Sequence, residues 1–339
     1  MTTLDISSGP SATLRLRTFG RRLPLRELGM FPAIALAVVI GAVISPAFLT
    51  RDNLVNVLQQ SSEMSVVVVA EVLILLTGKF DLSLESIVGF APMLAAWLVV
   101  PAAVGGQGVG LPAWAGLLIL FATGALLGAI NGLLVVKLRL NAFIATMAML
   151  ILLRGATLGV ANGRTLSSLP PAFTYLGDTA FLGVSLSVWL SASLFIIAGV
   201  ILRQHQLGRS LYLIGGNAEA ARASGIRVQR ITIGVYVIAG ILSALAGLMF
   251  TGRLASVTAN QGQNMIFTVF AAAVIGGISL NGGRGRMLGA LTGVLLLGVI
   301  SNILTLSQIS SFWIQASQGA IILLALLFQR LTAGEVDDA

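Results

Sequence analysis

Glu63, Glu71 and Arg154 are charged residues set inside long apolar runs, so chemistry in this chain starts with them. A charge at the bilayer centre costs roughly 2.5–3.5 kcal/mol on insertion scales, and such residues face a water-filled path or pair with one another. Gln60, Glu63, Val67 and Glu71 recur at helical spacing, which puts the polar members on one helix face. Glu71 falls about nine residues, roughly 13 Å, from the outer end of its apolar segment, close to the midplane. Arg154 lies about five residues from the outer end of another segment, so depth pairs it with Glu63 rather than Glu71. Two readings stand side by side. One is a polar seam along an internal path; the other is an ion pair that locks two helices together.

The elements that must hold these residues are read from composition. The chain has 339 residues, of which 57% are hydrophobic and only 9% charged, with a mean hydropathy of +0.98. A soluble domain carries about a quarter charged residues, so this is an all-α polytopic membrane protein. Apolar spans are expected at 31–50, 62–77, 84–102, 111–136, 141–159, 182–202, 231–250, 266–280, 287–305 and 312–328. That is about ten transmembrane helices, some short or glycine-interrupted enough to be broken or re-entrant. Residues 1–30 form a polar, arginine-bearing tail, 31–330 the transmembrane domain and 331–339 a second tail.

Basic residues orient the whole. With the N-terminus inside, 16 of the 20 Lys and Arg fall on the cytoplasmic side, and only Arg51, Arg164 and Arg253 on the other. This places both termini and the 203–230 stretch in the cytoplasm. The net charge of +8 therefore reports topology, not nucleic-acid binding. There is no cysteine and a single histidine, His205, which excludes disulfides, thiolate chemistry and multi-histidine metal sites.

The polar island 203–230 holds a short capped helix. Asn217 is an N-cap, Glu219 puts a negative charge in the first turn, Arg222 follows near the end and Gly225 suits a left-handed close. Eight or so residues give a rod of roughly 12 Å, too short to span a bilayer. Such a helix is either a docking knob for another protein or an ordinary solvated loop. Elsewhere Gly124, Gly128 and Gly132 repeat every fourth residue, as do Gly289 and Gly293. Gly124-Ala-Leu-Leu-Gly128 echoes Gly289-Ala-Leu-Thr-Gly293 in oppositely directed spans. Either close helix packing or an inverted repeat of spans 2–5 with 7–10 accounts for it.

Catalytic motifs are absent. Gly277-Ile-Ser279-Leu-Asn281 ends in the wrong residue for a nucleophile elbow. The glycines at 276–277 and 282–285 lack the Gly-Lys-Ser/Thr of a phosphate loop. The chain is therefore expected to be no enzyme and to need no cofactor or metal; energy for uphill transport must come from an ion gradient or a partner.

Thr77-Gly78-Lys79-Phe80-Asp81-Leu82-Ser83-Leu84-Glu85-Ser86 resembles the G-I-D-L-S-V-G-S segment of ribose/xylose/galactose-type permeases of ABC importers. Leu58-Gln59-Gln60 is similar to that family's L-Q-Q, Phe143-Ile144-Ala145-Thr146 to its F-I-A-T, and Leu153-Arg154-Gly155 to its L-R-G. Gly215-Gly216-Asn217 with Ala220-Ala221-Arg222 and Ser224-Gly225-Ile226 resembles its G-G-N-x-x-A-A-R-x-S-G-I loop, and residues 276–285 its G-G-x-S-L-x-G-G-x-G turn. The resemblance implies a paired permease, homodimeric or mixed, with cytoplasmic ATP-binding subunits and a periplasmic sugar-binding protein. It assigns Gly216, Asn217, Glu219, Ala221, Arg222 and Gly225 to a coupling helix seated in the ATPase.

Lys79 and Glu85 depart from the family's glycines, and Glu71 from a small or apolar residue. Lys79 and Glu85 lie six residues apart across a helix start, where local neutralisation, an altered substrate or a different second permease would each fit. The expected solute path holds Gln59, Gln60, Glu63, Glu71, Asp81, Asn131, Arg154 and Asn302, whose amides and carboxylates suit sugar hydroxyls or act as glue between helices. The rival is a proton-coupled transporter using Glu71 or Glu63 with Arg154 as counter-charge.

Overall fold

The computed structural model describes residues 30–310, 312–317, 319, 320, 323 and 327. The expected tails, apart from Met30, lie outside the described residues, as do Arg330 and part of the expected span 312–328.

Twelve α-helices are named here in chain order: α1 Met30–Ile44, α2 Arg51–Leu76, α3 Leu84–Val99, α4 Ala113–Gly132, α5 Ala142–Ala161 and α6 Pro171–Asp178. They continue with α7 Leu186–Gln204, α8 Gln206–Gly216, α9 Ala218–Ala223, α10 Val228–Leu254, α11 Met265–Ile275 and α12 Met287–Leu306. A two-stranded antiparallel hairpin, β1 Ala180–Phe181 with β2 Val184–Ser185, sits between α6 and α7. Among the described residues six helices are long and apolar enough to cross a membrane: α2, α4 with its π-helical extension to Lys137, α5, α7, α10 and α12. The expected spans 31–50, 84–102 and 266–280 are shorter helices of 15, 16 and 11 residues. At about 1.5 Å per residue, α11 reaches only about half-way through a hydrocarbon core.

Two helices differ from expectation in ways that matter for the site. Helix α2 starts at Arg51 rather than near residue 62, because Thr50 caps it by accepting from the Asn53 N–H at 3.4 Å and Asp52 lies in the first turn. Helix α10 runs on to Leu254, which turns Arg253 from an external loop residue into the last turn of a helix.

Helices α2 and α10 form the centre, and α3, α4 and α11 pack around them. Val66, Val67, Val68 and Val69 are buried on all sides of α2, so the helix interior has no lipid face there. Glycines let the backbones close up: a Cβ on Gly124 would stand 2.5 Å from the Gly240 carbonyl oxygen and 2.7 Å from the Ala244 Cβ. Gly293 abuts the Ala272 carbonyl and Gly289 that of Gly276. Both glycine rows are thus packing surfaces, α4 on α10 and α11 on α12. Large apolar side chains such as Leu36, Ile151, Leu152 and Ile196 stay exposed on the perimeter, the arrangement suited to lipid.

Candidate functional site: an open cavity and a capped helix at opposite ends of α2

A cavity of about 420 Å³ opens between α2, α10, the start of α11, α12 and residues 314–315. Its polar wall includes Gln60, Glu63, Arg253, Gln263, Asn264 and Asn302. Glu63 is completely buried, and Arg253 grips it with two hydrogen bonds, Nε to Oε1 at 2.6 Å and Nη2 to Oε2 at 2.9 Å. The fork also lies over the Phe250 ring, 5.1 Å from its centroid, so the guanidinium is held on one edge and one face. Asn302 exchanges amide hydrogen bonds with Asn53 at 2.9 and 2.8 Å, tying α12 to the first turns of α2.

The expected ion pairs are corrected by this geometry. Arg154 pairs with Glu85 at 3.6 Å, not with Glu63, because α5 packs mainly against α3 and α10 carries Arg253 to the level of Glu63. Glu85 accordingly is not neutralised by Lys79, which stays exposed beyond the other end of α2. Its Oε2 instead accepts the Ile266 N–H at 3.1 Å, in the first turn of α11, where a carboxylate complements the helix dipole.

The remaining expected path residues lie away from the cavity. Gln59 donates to the Gly177 carbonyl at 3.2 Å, joining α2 to α6. Asp81, Asn131 and Glu71 gather at the far end of α2. Asp81 accepts from the Ser83 N–H at 2.9 Å and its hydroxyl at 2.7 Å, and from Asn131 Nδ2 at 3.3 Å. Asn131 also donates to Ser83 Oγ at 2.6 Å. Glu71 Oε1 accepts the Asp81 N–H at 3.5 Å, while its Oε2 has no hydrogen-bond partner among the described residues. Tyr236 closes this knot by donating to the Phe80 carbonyl at 2.9 Å.

Beyond the knot stands α9. Asn217 Oδ1 accepts from the N–H groups of Glu219 at 3.0 Å and Ala220 at 2.9 Å. Gly225 takes φ +82°, its N–H donates to Arg222 O at 3.0 Å and the Ile226 N–H to Ala221 O at 3.1 Å. That pair of hydrogen bonds is a Schellman close. Only Ala221 of the six residues turns inward; Glu219 and Arg222 are exposed. The short capped helix is present, as Asn217 and Gly225 foretold.

Sequence reasoning missed Arg253, Gln263, Asn264 and Tyr236. The signal for two of them was present: Asn260-Gln-Gly-Gln263-Asn264 is a polar run directly before an apolar span.

Residues 53–327 match the family described as branched-chain amino acid transport system / permease component. The ribose import permease protein RbsC of Haemophilus influenzae is 35% identical over 307 residues, covering 89% of this chain and 93% of that protein. RbsC of Escherichia coli K12 is 36% identical over 319 residues, covering 93% and 97%. The L-arabinose ABC transporter permease protein AraH of Azospirillum brasilense is 32% identical over 285 residues, covering 84% and 82%. A helical, multi-pass membrane chain matched along nearly its whole length in this way belongs to that family of ABC importer permeases.

Proposed function

We propose that this permease carries a monosaccharide or related polyol, handed over by a periplasmic binding protein and driven by separate cytoplasmic ATPase subunits. Two permease copies stand side by side, with the cavity toward the periplasm and α9 in the cytoplasm, where it seats in the ATPase. Support comes first from the cavity wall. Glu63 and Arg253 neutralise each other, which leaves amides of Gln60, Gln263 and Asn264 to meet the solute. Amides offer both donors and acceptors, the match for hydroxyls that do both. An amino-acid cargo would ask for separate charged groups at its two ends. The sugar-importing relatives point the same way.

The proton-coupled alternative loses Glu63, committed to Arg253, and its counter-charge Arg154, committed to Glu85; the carboxylate left to it is Glu71, which lies away from the cavity beside Asp81. The test is reconstitution in proteoliposomes with the ATPase inside and the binding protein outside, using labelled ribose and arabinose. Uptake that needs ATP, and both partners, is the expected result. Solute movement by the permease alone under a pH gradient would overturn the proposal.

A further inference from the structure

Five glycines from three distant stretches meet at the end of α2: Gly78 just past the helix, Gly215 and Gly216 at the end of α8, and Gly282 and Gly283 before α12. The Gly283 N–H donates to the carbonyl of Leu76, the last residue of α2, at 3.1 Å. A Cβ on Gly282 would stand 2.7 Å from the Cα and N of Gly78 and 3.1 Å from the Gly215 Cα. One on Gly283 would stand 2.7 Å from the Gly216 nitrogen, and one on Gly215 would overlap the Leu76 oxygen. Gly78, Gly282 and Gly283 hold φ of +72°, +84° and +69°, values that side-chain-bearing residues resist. Tyr212 of α8 adds a hydrogen bond to the Gly285 carbonyl at 2.9 Å.

Three backbones therefore touch with no side chain between them. A contact made through side chains absorbs a displacement by changing rotamer; backbone against backbone has no such slack. Helix α9 begins at Ala218, and its cap Asn217 directly follows Gly216. Whatever moves α9 thus pushes on the last turn of α2 and on the loop that leads into α12. These two helices carry Glu63 and Asn302 on the wall of the cavity.

We infer that this glycine joint passes movement of the ATPase-docking helix to the cavity walls, with Gly215, Gly282, Gly283 and Tyr212 as its positioning residues. The inference rests on reading α9 as the ATPase contact. The absence of cysteine from the chain makes the test clean. Spin labels on Asn56→Cys of α2 and Gly159→Cys of α5 report movement of α2 against the scaffold in the complete transporter, with and without ATP. ATP should change that distance in the parent protein. Gly282→Ala and the milder Tyr212→Phe should lose half or more of the change while the ATPase still co-purifies and hydrolyses ATP. Gly234→Ala, on α10 with open space around it, should behave as the parent. Should Gly282→Ala fail to insert, Tyr212→Phe decides alone. An undiminished distance change in Tyr212→Phe, with ATPase bound, overturns the joint and leaves the reading of α9 intact. A parent protein that binds no ATPase overturns both.

Discussion

Arg253 is the residue on which the cavity wall depends most. It covers a completely buried carboxylate with two short hydrogen bonds. Arg253→Ala leaves that charge without a partner, and breaking a buried pair from one side costs about 3–5 kcal/mol. Thermal unfolding in detergent should show this loss, and Arg253→Lys should fall between, since an ammonium cannot supply the fork. The double variant Glu63→Gln with Arg253→Gln should recover at least half, because no buried charge remains. Equal losses in the single and double variants would mean that packing on Phe250, not the ion pair, sets the stability. Glu63 itself was legible from the sequence, because helical spacing alone puts it on a polar face with Gln60. Its partner was not. Depth estimates count from span ends, and hydropathy ended α10 before Arg253, though the helix continues past it. Glu85 and Arg154 show the second obstacle: which helices are neighbours is a property of packing, and a single sequence carries no trace of α5 choosing α3.

Elements differ in how much of themselves they write locally. The caps of helix α9 were readable because its start and stop are chemical, though the helix has six residues rather than eight or so: Asn217 satisfies two N–H groups, and Gly225 takes the left-handed turn. The first half of α2 was not readable. Asn53, Asn56, Gln59 and Gln60 depress hydropathy there, and the helix persists because Asn53 is held by Asn302 and Gln59 by Gly177 across the fold. Tertiary partners, absent from any local window, decide such a segment. On α9 the exposed Arg222 sits in the last turn, outside every intramolecular salt bridge among the described residues. Arg222→Glu should therefore leave folding and membrane insertion normal, while ATP hydrolysis no longer tracks solute uptake. The check is the ratio of ATP consumed to solute imported in proteoliposomes; an unchanged ratio would remove α9 from the docking surface.

At the scale of the whole molecule, the question is where the free energy for transport enters. A gradient-driven carrier needs a titratable or charged group that travels with the cargo. Here the two charges facing the cavity cancel each other, and the amides beside them carry none. A neutral solute crossing this wall moves no net charge. Moving one elementary charge through 100 mV is worth about 2.3 kcal/mol, or roughly fifty-fold in an accumulation ratio. The two mechanisms thus separate widely in one measurement. With ATPase and binding protein present, uptake of labelled ribose should stay constant when a potassium diffusion potential of about 100 mV is imposed in either direction. Glu63→Gln with Arg253→Gln, which removes both charges together, should keep that indifference. A strong response to potential, lost in the double variant, would instead make the ion pair part of the charge-moving machinery and place the motor inside this chain.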